Sequence, residues 1–286
     1  MITDLDTLKL FMDIDVTDDT QDDVLNLFLN GVETKVLTHC DRTSFNSTTY
    51  TNEMYSGNGS DHIWLKNCPI ISIASASIGR LDAINIKNTD TTASNATVSV
   101  SVADAKMTLT LTGGANPGSD EVAFGTYTTL SAVVTQINTL SAKSWAAEIA
   151  DSSLNDLAST ELLQVDGKYV GSRRGVTASW SAIQIPDDPL GDFRSDNDTG
   201  ELYRSSGWPA GFQNLIFTYT AGYATADMPG DLILAVLRWA KIACDRVEES
   251  GDGLASLTAG QTMRYLEDIP DVVLVTLEKY RRVSIA

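Results

Sequence analysis

The stretch Asp13-Ile14-Asp15-Val16-Thr17-Asp18-Asp19 has the residue types for phosphoryl chemistry, matching the DxDxT pattern of hydrolases with an aspartate nucleophile. Such a nucleophile must follow a buried strand. Here the preceding residues pattern as one helix and the following ones open another. A calcium loop also fails, because its sixth position is Asp18 rather than Gly and its twelfth is Val24 rather than Glu. The stretch therefore reads as a loop whose acids suit the positive end of the next helix. The two histidines, His39 near a helix end and His62 in a hairpin, adjoin no nucleophile motif such as G-x-S-x-G. H-E-x-x-H, Walker A and the Rossmann fingerprint are missing from the sequence. Gly57-Asn58-Gly59-Ser60 lacks the Lys and helix of a phosphate loop and reads as a hairpin turn. Gly113-Gly114 and Asp196-Asn197-Asp198-Thr199-Gly200 read as turns too. Three cysteines, Cys40, Cys68 and Cys244, stand far apart without CxxC spacing, which argues against a zinc site or a disulfide framework. Spacing alone leaves a glycosidase-type carboxylate pair open. The expectation is a non-enzyme with no catalytic residue, cofactor or metal.

The elements that would position these residues follow from periodicity. The chain has 286 residues, 43% of them hydrophobic, enough for two modest domains or one large one. Its net charge of −18 disfavours adhesion to nucleic acid or anionic membranes. Met1-Ile2-Thr3-Asp4 shows no basic region followed by an apolar run, so neither a signal peptide nor a membrane span is expected. Thr3 with Asp6 resembles a capping box opening a short helix, and a longer helix is expected over about 19–41 with Leu25, Leu29, Val32 and Val36 on one face. A strand is expected at 71–78. From about Ala83 the composition shifts to Thr, Ser, Ala and Gly. Alternating Val98, Val100, Val102 and Met107, Leu109, Leu111 predict a hairpin, and Leu130, Val133 and Ile137 a helix. This part reads as a small inserted α+β domain over 83–182. Ile183 and Ile185 then precede an expected turn at Pro186–Pro189. Leu215, Phe217 and Tyr219 alternate in a strand ending at Gly222. Met228-Pro229-Gly230-Asp231 introduces a helix from Leu232, apolar nearly all round and so read as the central core helix. A mobile loop is expected over 249–260 and a last helix over about 270–282.

In order along the chain, these segments resemble the head–tail connector (adaptor) proteins of tailed bacteriophages. The likeness lies in the two N-terminal helices, Tyr55, Gly57-Asn58-Gly59-Ser60, Ile63-Trp64-Leu65 and Cys68-Pro69-Ile70. It continues in Thr199-Gly200-Glu201-Leu202-Tyr203, Trp208-Pro209, Phe217 to Tyr223 and Met228-Pro229 with the helix after it. It covers about 3–83 and 183–286, with 83–182 departing from compact members.

The resemblance implies an α+β fold: a mostly helical connector core of about four helices with a β-hairpin element, discontinuous over 1–82 and 183–286, plus the insertion. It further implies a homo-oligomeric ring, twelvefold in the particle, beneath the portal protein. The ring would extend the DNA channel, let DNA pass without specific binding, and dock a tail-proximal neck or stopper protein. The place implied is the virion neck, assembled in the bacterial host cytoplasm, or the equivalent part of a gene transfer agent. The portal contact is expected at the C-terminal helix, through Leu274, Leu277, Lys279, Tyr280, Arg281 and Arg282. The alternatives are another virion component, of the tail or decorating the capsid, or a glycan-directed enzyme or binding protein.

Overall fold

The computed structural model describes residues 2–172, 176–248, 256–259, 262–265 and 269–281. Helix α1 (Leu5–Phe11) is capped by Asp4, whose carboxylate accepts from the Thr7 amide at 2.7 Å, one residue from the expected box. Helix α2 (Asp22–His39) opens on Asp22 and Asp23 at its positive end and buries Leu25, Leu29, Val32 and Val36. Strands β1 (Thr48–Gly57), β2 (His62–Trp64), β3 (Ile70–Asn88), β4 (Ala93–Ser101), β5 (Lys106–Gly113) and β6 (Gly118–Ala123) follow. Next come α3 (Leu130–Thr139), β7 (Trp145–Ile149), β8 (Val165–Tyr169), β9 (Ser181–Pro189), β10 (Arg194–Asp196), β11 (Glu201–Tyr203) and β12 (Gly211–Ala221). The chain continues through α4 (Gly230–Glu248), β13 (Ser256–Ala259), β14 (Thr262–Tyr265) and α5 (Asp271–Leu277).

The expected mostly helical core is not what forms. The chain is mostly β, with 38% strand against 28% helix, so sheets rather than helices make the body. One sheet runs β1-β12-β3-β7, with β9 also paired to β3, and every pairing is antiparallel. A second has the order β10-β11-β2, a third β6-β5-β4-β8, and β13 pairs with β14. The physical reason lies in side chains that look like loop residues. Thr48 and Thr49 sit in the long β1–β12 ladder, where the backbone pairs regardless of polar side chains. Pro186 and Pro189, expected in a turn, continue β9, which pairs only with β3 and so tolerates proline at an edge.

Among the described residues, three hydrophobic clusters result. The helices α1, α2, α4 and α5 share one, built on Leu8, Leu29, Val36, Leu232, Trp239 and Leu277. The β1-β12-β3 region and the small β2 sheet share a second, with Tyr55, Ile63, Leu202, Trp208, Phe217 and Tyr219. The third draws only on residues between Ala83 and Ile185. Strand β3 passes through residues 82 and 83 without a break, pairing β12 with its first half and β7 with its second. Gly222 joins sheet to helices. It lies at φ 108°, where a Cβ would stand 2.5 Å from the Asn46 carbonyl oxygen, so only glycine fits the approach that lets Tyr223 bridge Asn46. Among the described residues no helix is long and apolar enough to cross a membrane.

Candidate interaction groove

The C-terminal end of α2 starts the site. Asp41 lies at φ 52°, and the Arg42 amide bonds back to the Leu37 carbonyl at 3.0 Å, so the chain reverses and sends Arg42 inward. The Arg42 guanidinium then ties three segments together. Nε donates to the Tyr280 carbonyl at 2.9 Å, Nη1 donates to the Cys68 carbonyl, and Nη2 lies 3.3 Å from Cys68 Sγ. Its Cζ sits 5.2 Å from the Phe45 ring centroid, and Phe45 meets Tyr280 edge-on at 6.2 Å. The Tyr280 hydroxyl donates to Asp231, and Lys279 Nζ reaches the same carboxylate at 3.3 Å. That hydroxyl, followed by Lys279, holds Asp231 below the usual aspartate range, while burial and the Asp231 charge push the Tyr280 phenol up.

These residues enclose a groove of about 420 Å³. Arg42, Lys66, Lys279 and Arg281 line it, with the Asp198 carboxylate in its wall and Trp64, Tyr223 and Tyr280 as aromatic surface. Ion pairs surround it: Lys66 with Glu53 at 3.4 Å and Arg281 with Glu278 at 3.7 Å. His39 Nε2 also meets Glu278, at 3.1 Å.

A neighbouring cleft of about 480 Å³ shares Arg42 and Lys66 and adds Tyr50, Glu53 and Asn67. Behind it, one oxygen of Glu53 accepts from both the Tyr55 and Tyr219 hydroxyls at 2.6 Å. The Lys66 amide donates to the Tyr55 oxygen at 2.8 Å and Asn67 Nδ2 to Tyr219 at 3.1 Å. Burial pushes both phenols well up, and Glu53 adds to the shift. Two neutral phenols on one carboxylate make a satisfied pin between β1, β12 and the turn at 65–67.

The expected contact residues separate. Leu277 is fully buried in the helical core and Leu274 half-buried, whereas Lys279 and Arg281 are exposed and Tyr280 is half-buried in the groove wall. Arg282 lies outside the described residues. The last helix is shorter than expected, ending at Leu277 with a turn after it. Of the expected loop over 249–260, residues 249–255 and 260 lie outside the described residues, while 256–259 form β13. The acidic stretch at 13–19 folds over Lys9, which is buried and donates to the Asp18 carbonyl at 2.8 Å while pairing with Asp22. Sequence reasoning missed Arg42, Lys66, Lys9 and the Glu53 pin. Glu53 and Tyr55, two apart in an aromatic-rich run, carried the one readable signal for that pin.

No protein-family model matches this chain, and no curated protein matches it.

Proposed function

We propose that the chain is a structural virion subunit, a head–tail adaptor that forms a ring beneath the portal. In this reading the ring, twelvefold in the particle, extends the DNA channel and docks a neck or stopper protein, with no catalytic role. One observation carries the reading. The scattered segments that resemble connector proteins come together in space: Tyr55, Ile63, Leu65, Leu202, Trp208, Phe217 and Tyr219 pack in a single cluster. From it the chain passes through Met228 into α4, which packs with α2 and α5. The net charge of −18 suits a channel that repels phosphate and lets DNA slide. The portal contact falls on α5, whose outward residues Val272 and Val275 are exposed beside half-buried Leu274 and the basic tip of Lys279 and Arg281.

The β-rich body favours a second reading, another virion component of the tail or the capsid surface. Mass photometry of the purified chain with and without the portal separates the two. An adaptor gives a complex heavier than the portal alone, and unchanged separate masses contradict it.

A further inference from the structure

The sequence has two Asn-Gly pairs, Asn30-Gly31 inside α2 and Asn58-Gly59 in the turn after β1. All four residues are exposed, so water reaches both pairs and the backbone alone tells them apart. Inside α2 the Gly31 amide is bound to the carbonyl four residues back, and the Asn30 carbonyl also accepts from the Thr34 hydroxyl at 2.8 Å. Asn58 and Gly59 belong to no helix or strand. Among the described residues nothing accepts from the Gly59 amide. Gly59 lies at φ 80°, and a Cβ there would meet nothing nearer than 3.9 Å, so its nitrogen is both unbonded and uncrowded. The Asn58 side-chain carbonyl accepts from the Ser60 amide at 2.9 Å.

We infer that Asn58 is a self-modification site, converted through a cyclic imide to an aspartyl or isoaspartyl residue, while Asn30 keeps its amide. Hydroxide takes the Gly59 amide proton, and the nitrogen attacks Asn58 Cγ. The N–Cγ bond forms, the Cγ–Nδ2 bond breaks, and ammonia leaves with a proton from water. Water then opens the imide. Addition at Cγ gives the aspartyl form, and addition at the backbone carbonyl carbon gives the isoaspartyl form. The net change is water in and ammonia out, with no oxidation. The attack puts negative charge on Asn58 Oδ1, the atom that the Ser60 amide already holds. The isoaspartyl form also adds a carbon to the main chain between two fixed points. On one side a Cβ at Gly57 would stand 1.9 Å from the Pro209 carbonyl oxygen. On the other the Ser60 carbonyl accepts from the amide of buried Trp208 at 2.7 Å. The longer turn therefore strains the anchor of Trp208, and the site loosens the chain with age, whatever the chain's role.

Peptide mapping by mass spectrometry tests this on the full chain, incubated at mildly alkaline pH either folded or in concentrated urea. In urea both asparagines convert at similar rates. In the folded chain Asn58 stays within about threefold of its urea rate, with the isoaspartyl form in excess, while Asn30 falls at least about tenfold below its own because α2 must open first. Folded-state protection of Asn58 equal to that of Asn30 overturns the site. The loosening is read from urea midpoints before and after incubation. The midpoint of the unaltered chain falls, and that of Asn58→Gln holds. Equal losses in the two chains, or no loss in either, overturn the loosening.

Discussion

Arg42 shows how one residue can set a site that no motif announces. It precedes Thr43 and Ser44 in a plain polar run, yet its side chain holds the Tyr280 and Cys68 carbonyls in one place. Nothing in its neighbours' types foretells those partners, which lie 238 and 26 residues away. Lys9 was more legible, being a cation just before six aspartates, although its burial was not. The Glu53 pin yields a prediction at this scale. Tyr55 and Tyr219 both have folded pKa values raised above the ordinary value of about 10. A raised acid keeps its proton longer when folded, so their stabilisation is complete below pH ~10 and falls as pH rises beyond it. Tyr219→Phe should cost about 1–2 kcal/mol at neutral pH through the lost hydrogen bonds. The same variant should flatten the alkaline loss, as read from urea midpoints at pH 8 and 10.5. Equal alkaline losses in variant and unaltered chain would mean that Tyr219 is not the group responsible.

Among the elements, those with a strong single period were readable. Helix α3 lies where Leu130, Val133 and Ile137 put it, and β4 with β5 forms the hairpin that the alternating valines and leucines foretell. The long ladder of β1 was not readable, because its Thr and Ser residues mimic loop composition, and the far half of β3 was hidden by Gly79, Arg80, Asp82 and Asn85 among its apolar residues. The direction of α5 was also hidden. Its short run Val272, Val273, Leu274, Val275 is apolar on all sides, and only packing selects Val273 and Leu277 as the inward pair. Leu277→Ala should therefore cost ~2–5 kcal/mol in urea unfolding, the range for emptying a well-packed leucine site. Val275→Ala, at a site 70% exposed, should stay within about 0.5 kcal/mol. Similar costs at both positions would show that α5 buries the other face. Removing α5 outright is a poor test of docking, since α4 would lose its Val273 and Leu277 neighbours.

At the scale of the whole molecule, three clusters divide the work of folding. The composition shift near Ala83 was visible in the sequence, but the continuous passage of β3 through it was not, since a strand crossing a unit boundary leaves no local mark. The two clusters outside this region contain no residue from 83–182. We expect replacement of 83–182 by a short Gly/Ser linker to leave a soluble, cooperatively folding remainder. Aggregation of that product would mean that β7 and the part of β3 it pairs hold the whole sheet together. The proposed role is that of a ring subunit capping a portal. Negative-stain microscopy of the portal mixed with an excess of this chain tests it most directly. A ring subunit adds a ring of density at one end of each portal, and portals left bare beside free chain would contradict that role.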